Sequence, residues 1–157
     1  MTENIVVVGG GTGGTVLANR LAERLGPELD RGDVSVTLVS DDPDHVYKPV
    51  FLYVPFGKKT VEDANRPLRD LVDREVDIEI DRVEGVDTDG KRLSLRDGGS
   101  MAYDQLALAL GSQLVPEELP GLAEGGHHFY GPDGAQALQT EMAEFTEGHL
   151  VLSVIGT

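Results

Sequence analysis

Short apolar runs and helical apolar spacing alternate over the first forty positions of the chain. The run 5–8 reads Ile-Val-Val-Val, which is typical of a buried strand in a parallel sheet. The segment 12–25 has apolar residues at helical spacing, and the Gly-Pro pair that follows it predicts the end of a helix. A second strand is predicted over 34–39. Together these elements predict a βαβ unit over 5–40 with a right-handed crossover.

The patterns after this unit predict a mixed architecture. The segment 41–60 is interrupted by prolines and holds four of the eight aromatic residues, which indicates a packed functional loop, with filling of the core as the alternative. A short helix is predicted over 68–74. Alternating apolar positions over 76–103 then predict an antiparallel meander with tight turns. The predicted fold class is α/β, a Rossmann-like domain with a parallel sheet plus an antiparallel β-meander.

The last third of the chain predicts a closing strand and a helix, and then a domain boundary. The closing strand is expected over 105–111 and the helix over 135–145. A length of 157 residues suits one domain with a sizeable core. We therefore expect one domain over 1–148. The apolar stretch over 150–155 predicts a last strand.

A glycine-rich hexapeptide stands between the first predicted strand and the first predicted helix. It contains the pattern Gly-x-Gly-x-x-Gly at Gly9, Gly11 and Gly14. The first glycine permits a tight turn, the second lets backbone approach a pyrophosphate, and the third permits close packing of helix on sheet. The helix start would present N–H groups and a positive dipole end to phosphate, with Gly13 in this turn and the hydroxyls of Thr12 and Thr15 as added donors. The pattern predicts a dinucleotide site, and the alternative is a glycine-rich turn without a ligand.

The tip of the second strand supplies the candidate ribose ligands. The strand ends at Ser40 and is followed by Asp41, and either side chain could bond a ribose hydroxyl. A 2′-phosphate would be repelled by this acidic tip, which disfavours NADP.

Charge and composition exclude several other functions. The chain has 13 Lys+Arg against 28 Asp+Glu, a net charge of −15, which argues against nucleic-acid binding. Its acidic, Lys-poor character indicates adaptation to high salt, and the alternative is an ordinary acidic protein. The chain has no cysteine, which excludes a zinc finger, an iron–sulfur site and a thiol nucleophile within it. No metal site is predicted. With no long apolar run and no signal peptide, we expect a cytoplasmic location.

The order of these elements resembles the FAD-binding half of the pyridine nucleotide–disulfide oxidoreductase superfamily. The segment 103–112 is similar to the second fingerprint of that superfamily, although Leu110 stands where a threonine is usual. The segment 45–57 is similar to the loop beside the isoalloxazine ring in sulfide:quinone oxidoreductases and type II NADH dehydrogenases. The segments 129–135 and 148–157 look more like the sulfide:quinone group, the mitochondrial-type branch in particular.

This resemblance implies FAD as the cofactor and gives each candidate residue a role. The glycine motif would hold the pyrophosphate, and the strand tip would hold ribose. Lys48 and Pro49 would lie along the flavin, Val83 would meet adenine through its backbone, and Gly111, with Ala109 before it, would close over the nucleotide.

The resemblance also implies that residues 149–157 are the first strand of a second dinucleotide-binding-like domain, so the chain would be the first part of a longer enzyme. It further implies a function for that whole enzyme. Electrons would pass from sulfide through FAD to a quinone, and the redox cysteines, the quinone site and a membrane-contacting region would lie beyond Thr157. The whole enzyme would then be peripheral on the inner face of the membrane, and a homo-oligomer stays open. Without a thiol, the 157-residue chain is expected to be inactive alone. The alternatives are a type II NADH dehydrogenase, with NADH as donor, and a non-catalytic nucleotide-binding module.

Overall fold

The computed structural model describes residues 2–153, and within them the chain forms two compact units. One unit comprises 2–47 with 64–113, and the other comprises 48–63 with 114–153. No helix in this described part of the chain has the length and apolar character needed to cross a membrane.

The first unit is built on a parallel sheet. Its helices and strands are, in chain order, β1 (Glu3–Val8), α1 (Thr12–Arg31), β2 (Val34–Ser40), β3 (Asp44–Val46), β4 (Asn65–Pro67), α2 (Leu68–Leu71), β5 (Asp77–Ile80), β6 (Val83–Asp87), β7 (Arg92–Leu95), β8 (Ser100–Ala102) and β9 (Gln105–Leu108). Four of these strands pair in the order β5-β2-β1-β9 within the described residues, all in parallel. The predicted α/β class, a parallel sheet with antiparallel strands added to it, is confirmed.

The parallel sheet has an apolar cluster on each face, because successive side chains of a strand point to opposite sides. In β1, Val7 faces the cluster that includes Ala18 and Ala22 of α1. Val6 and Val8 face the other cluster, which includes Leu93 of the meander. The sheet is therefore the middle layer between helix α1 and the meander.

Helix α1 runs six residues past its predicted end. The Gly-Pro pair was expected to stop it at Leu25, but Pro27 lies inside the helix. Proline removes one backbone N–H donor, and Leu29 beyond it packs against the core, which favours another turn. The helix ends where Gly32 adopts a left-handed conformation with φ 72°. There the Gly32 N–H donates to the Leu29 carbonyl and the Asp33 N–H to the Glu28 carbonyl, the Schellman arrangement.

The first strand predicted for the meander belongs to the parallel sheet instead. β5 pairs in parallel with β2, and Ile78 packs on the α1 side of the sheet. The antiparallel meander consists of β6, β7 and β8. An alternating pattern predicts one buried face but not the direction of the neighbouring strand, which is why the expected start at 76 was wrong.

Two element boundaries and one segment also differ from the sequence-based expectations. α2 stops at Leu71 rather than continuing to residue 74, and the closing strand β9 ends at Leu108 rather than 111. Within the segment 41–60, which was predicted to be irregular, residues Asp44–Val46 form β3, and this strand pairs antiparallel with β4 as a short ribbon.

The second unit consists of short helices and turns. Its α-helices are α3 (Leu122–Gly125) and α4 (Pro132–Glu144), and its 3₁₀ turns include Lys48–Leu52 and Val54–Phe56. The helix predicted over 135–145 is confirmed as α4, which contacts both 3₁₀ turns. Phe51 and Val54 are buried in this unit, whereas Tyr53 and Phe56 are exposed.

The strand predicted over 150–155 is only partly within the described residues. Residues 150–153 form no strand there, and Leu150, Val151 and Leu152 are exposed. The remainder lies outside the described residues, so the second domain expected over 149–157 stays a prediction.

Asn19 connects α1 to the end of α2. Its Nδ2 donates to the Leu71 carbonyl at 2.9 Å, and its Oδ1 accepts from the Asp73 N–H at 2.7 Å. We predict that Asn19→Ala lowers the free energy of unfolding by about 1 kcal/mol, because two hydrogen bonds are lost while alanine slightly favours the helix. Urea unfolding followed by circular dichroism measures this.

The neighbouring Arg20 supplies the matched control. Its ion pair with Glu23, at 2.5 Å, is exposed on the helix surface, so Arg20→Ala should change stability by less than about 0.5 kcal/mol. Equal losses in the two variants would show that Asn19 does not hold α2.

Candidate dinucleotide-binding site

The glycine loop lies at the edge of the sheet where ligands bind in open α/β proteins. The chain leaves β1 toward β2 on one side, and β9 pairs with β1 on the other side. The strand order therefore changes direction between β1 and β9, and the segments that follow these strands meet at one edge. Residues 9–14, five glycines and Thr12, follow β1, and residues 109–111 follow β9.

Gly9 joins the ends of three strands. Its N–H donates to the Val39 carbonyl of β2 at 2.8 Å, and the Ala109 N–H donates to the Val8 carbonyl at 2.8 Å. Gly9 has φ 118°, and a Cβ on it would collide with the Ala109 carbonyl oxygen. Only glycine satisfies both the backbone conformation and this close approach.

Gly14 permits the first turn of α1 to rest directly on the loop. A Cβ at Gly14 would collide with the carbonyl oxygen of Gly9 and would lie 3.4 Å from Leu38 Cδ1. The helix start is thus held against the end of β1 by backbone contact.

Gly11 is the N-cap of α1 and faces open space. Its backbone is extended, no side chain in the described residues caps the helix, and no atom lies within 4 Å of where its Cβ would be. Gly11, Thr12 and Gly13 are exposed, and the first turn has no acidic residue. The first N–H groups of a helix have no partner in the preceding turn and carry the positive end of the dipole. This end of α1 can therefore accept an anion.

The two threonines of the loop differ in availability. Thr12 is exposed. Thr15 is buried, and its hydroxyl donates to the carbonyls of Gly11 at 3.0 Å and Thr12 at 3.2 Å. The Thr15 hydroxyl is therefore used inside the helix, although the sequence suggested it as a further donor to phosphate.

The candidate ribose ligands also differ. Ser40 is buried, and its hydroxyl donates to the Asp42 carbonyl at 2.8 Å within the turn after β2. Asp41 is exposed. Of the two, Asp41 has the side chain that is open to a ligand.

Two residues of this region were not among the predicted site residues. A Cβ on Gly10 would collide with the Ser40 hydroxyl and would lie 3.0 Å from Leu68 Cδ1. The Gly10 carbonyl oxygen lies 3.0 Å from Nδ1 of His45, which is buried on β3. The run of three glycines was the available signal for Gly10. His45 gave none, since its contact depends on the β3–β4 ribbon.

The remaining candidates are divided between the two units. Val83 begins β6, pairs with Leu95 and packs against the apolar cluster on the meander face. Gly111 adopts φ 71° with open space around its Cβ position. Lys48 and Pro49 are exposed at the start of a 3₁₀ turn in the second unit.

The chain is similar to proteins of one oxidoreductase family. The family model for pyridine nucleotide-disulphide oxidoreductases matches residues 3–156. A sulfide-quinone reductase of Aquifex aeolicus is 32% identical over 73% of this chain and 26% of its own length. An NADH dehydrogenase-like protein of Mycobacterium tuberculosis is 33% identical over 93% of this chain and 36% of its own length.

A solved structure supports the similarity to the same family. The crystal structure of the sulfide:quinone oxidoreductase from Aquifex aeolicus superposes with a TM-score of 0.75 at 26% identity, covering 90% of this chain and 32% of that one. This chain thus spans about a quarter to a third of the length of the proteins it resembles. The match over 3–156, with the glycine loop in its expected place, shows that the chain belongs to the pyridine nucleotide-disulphide oxidoreductase family.

Proposed function

We propose that this chain is the FAD-binding N-terminal part of a flavin oxidoreductase that passes electrons from sulfide through FAD to a quinone. The observation that carries the FAD part is the open, uncapped start of α1 held against β1 by Gly9 and Gly14. The sulfide and quinone part is supported by similarity to the Aquifex aeolicus enzyme in both sequence and structure.

The loop residues fit a dinucleotide pyrophosphate. An anion can approach the amides at the start of α1 because Gly11 has no side chain and its Cβ position is empty. Asp41 is exposed at the strand tip where a ribose hydroxyl would be bonded. When bound, FAD would supply the two-electron chemistry, and the protein would bind and orient it.

The other predicted residues complete the proposal. Val83 would meet adenine through its backbone, and Ala109 and Gly111 would border the nucleotide. Lys48 and Pro49 would lie along the flavin. Sulfide, quinone, a peripheral position at the inner face of the membrane and any homo-oligomer belong to the proposal for the whole enzyme. The 157-residue chain alone is proposed to be inactive.

A type II NADH dehydrogenase is the second candidate. It is favoured by the NADH dehydrogenase-like protein of Mycobacterium tuberculosis, whose similarity extends over 93% of this chain. In that case NADH would be the electron donor. A non-catalytic nucleotide-binding module is the third candidate.

Gly11→Ala tests the pyrophosphate site. Because the Cβ position is open and the backbone extended, the variant should fold, with a loss of about 1 kcal/mol for the poorer N-cap. The added methyl group would occupy the space through which the phosphate approaches. We predict that the FAD dissociation constant, measured by titration at high salt, rises at least about tenfold, which corresponds to about 1.4 kcal/mol.

Gly26→Ala is the matched control, since Gly26 lies inside α1 and its Cβ position is also open. It should stabilise the chain by about 0.5–1 kcal/mol and leave FAD affinity unchanged. If wild type and Gly11→Ala bind FAD equally well, the pyrophosphate does not lie on this loop.

The electron donor is tested with the full-length gene product. We predict that sulfide bleaches its flavin absorbance under anaerobic conditions and that added quinone restores it. Bleaching by NADH and not by sulfide would instead favour the NADH dehydrogenase. A full-length protein that never binds flavin would leave only the non-catalytic module.

A further inference from the structure

The ring of His45 lies within hydrogen-bond distance of the backbone of the glycine loop. His45 lies on β3, is only 7% exposed, and its Nδ1 is 3.0 Å from the Gly10 carbonyl oxygen. A carbonyl oxygen only accepts hydrogen bonds, so Nδ1 carries the proton and donates. The same strand pairs with β4, where His45 stands opposite Arg66.

This hydrogen bond determines the direction of the Gly11 amide. In a trans peptide the carbonyl and the N–H of the bond point in opposite directions. The chain has no cis peptide within the described residues, so the Gly11 N–H points away from His45. Without the contact, the peptide between Gly10 and Gly11 could rotate readily, because glycine has wide access to backbone conformations.

We propose that His45 is a positioning residue that holds the Gly10–Gly11 peptide with the Gly11 N–H directed at the dinucleotide phosphate. It does not touch the ligand in this role, and acts through the Gly10 carbonyl. The phosphate part of the inference rests on the proposed FAD binding. The hydrogen bond itself belongs to the ligand-free chain.

Two substitutions separate positioning from simple filling of the interior. His45→Leu keeps a buried apolar side chain and removes the donor. His45→Asn keeps an N–H close to the position of Nδ1. We expect FAD titration of the 157-residue chain to show about a tenfold weaker affinity for His45→Leu, the value of one hydrogen bond, and a change of less than about threefold for His45→Asn.

His127→Leu is the control for the same chemical change at an exposed position, and it should leave FAD affinity unaltered. Urea unfolding of each variant measures its stability, and we expect the differences in FAD affinity not to follow the differences in stability. Equal weakening by Leu and Asn, or no weakening by Leu, would overturn the positioning role.

A second measurement uses the ligand-free chain labelled with nitrogen-15. The imidazole nitrogen shifts of His45 should report a proton on Nδ1, and the Gly11 amide resonance should move in His45→Leu and return toward wild type in His45→Asn. An unprotonated Nδ1, or a Gly11 amide resonance that changes in neither variant, would refute the hydrogen bond. If wild type binds no FAD, the proposed function and the phosphate-directed role both fail, and these shifts alone decide whether His45 orders the loop.

Discussion

The rest of the first unit depends on contacts between backbone and backbone around the glycine loop. Gly14 rests on the Gly9 carbonyl, and Gly9 rests on the Ala109 carbonyl, with no room for a Cβ at either position. These contacts set where α1 begins relative to the ends of β1 and β9. A single added methyl group would push the helix away from the sheet edge and move its free N–H groups with it. The geometry of the candidate site therefore comes from close backbone packing rather than from side-chain chemistry.

Such contacts hold only if the sheet beneath them is rigid, and the two apolar clusters provide this. β1 is buried on both faces, with Val7 toward α1 and both Val6 and Val8 toward the meander. Residues packed from both sides have few alternative arrangements, because protein interiors are close to the density of crystals. Asn19 extends the same constraint to the turn after α2. The glycine loop itself has no regular structure before α1 begins, but β1 and α1, which flank it, both contribute residues to the apolar clusters.

The sequence predicted those features that depend on local pattern. The glycine spacing, the apolar run of β1 and the periodicity of α1 are local patterns that together predict the βαβ unit and its loop. The end of α1, the sheet to which β5 belongs and the contact of His45 depend on tertiary partners that no local pattern contains. Leu29 packs on the core beyond Pro27, and Ile78 packs on the α1 side. His45 reaches Gly10 across 35 positions of the chain.

Electrostatics and geometry must be reconciled if an anionic dinucleotide is to bind a chain of net charge −15. The repulsion from that charge is long-ranged, whereas the attraction from the amides at the start of α1 acts at hydrogen-bond distance. Salt weakens the long-range repulsion far more than the attraction at hydrogen-bond distance, since the Debye length falls to about 3 Å at 1 M salt. The first turn of α1 has no acidic residue, so no carboxylate of that turn repels a phosphate at the start of the helix. An acidic surface and an anion site are thus compatible in one protein when two conditions hold. The binding groups are backbone amides held in position, and the ionic strength is high enough to screen the long-range repulsion.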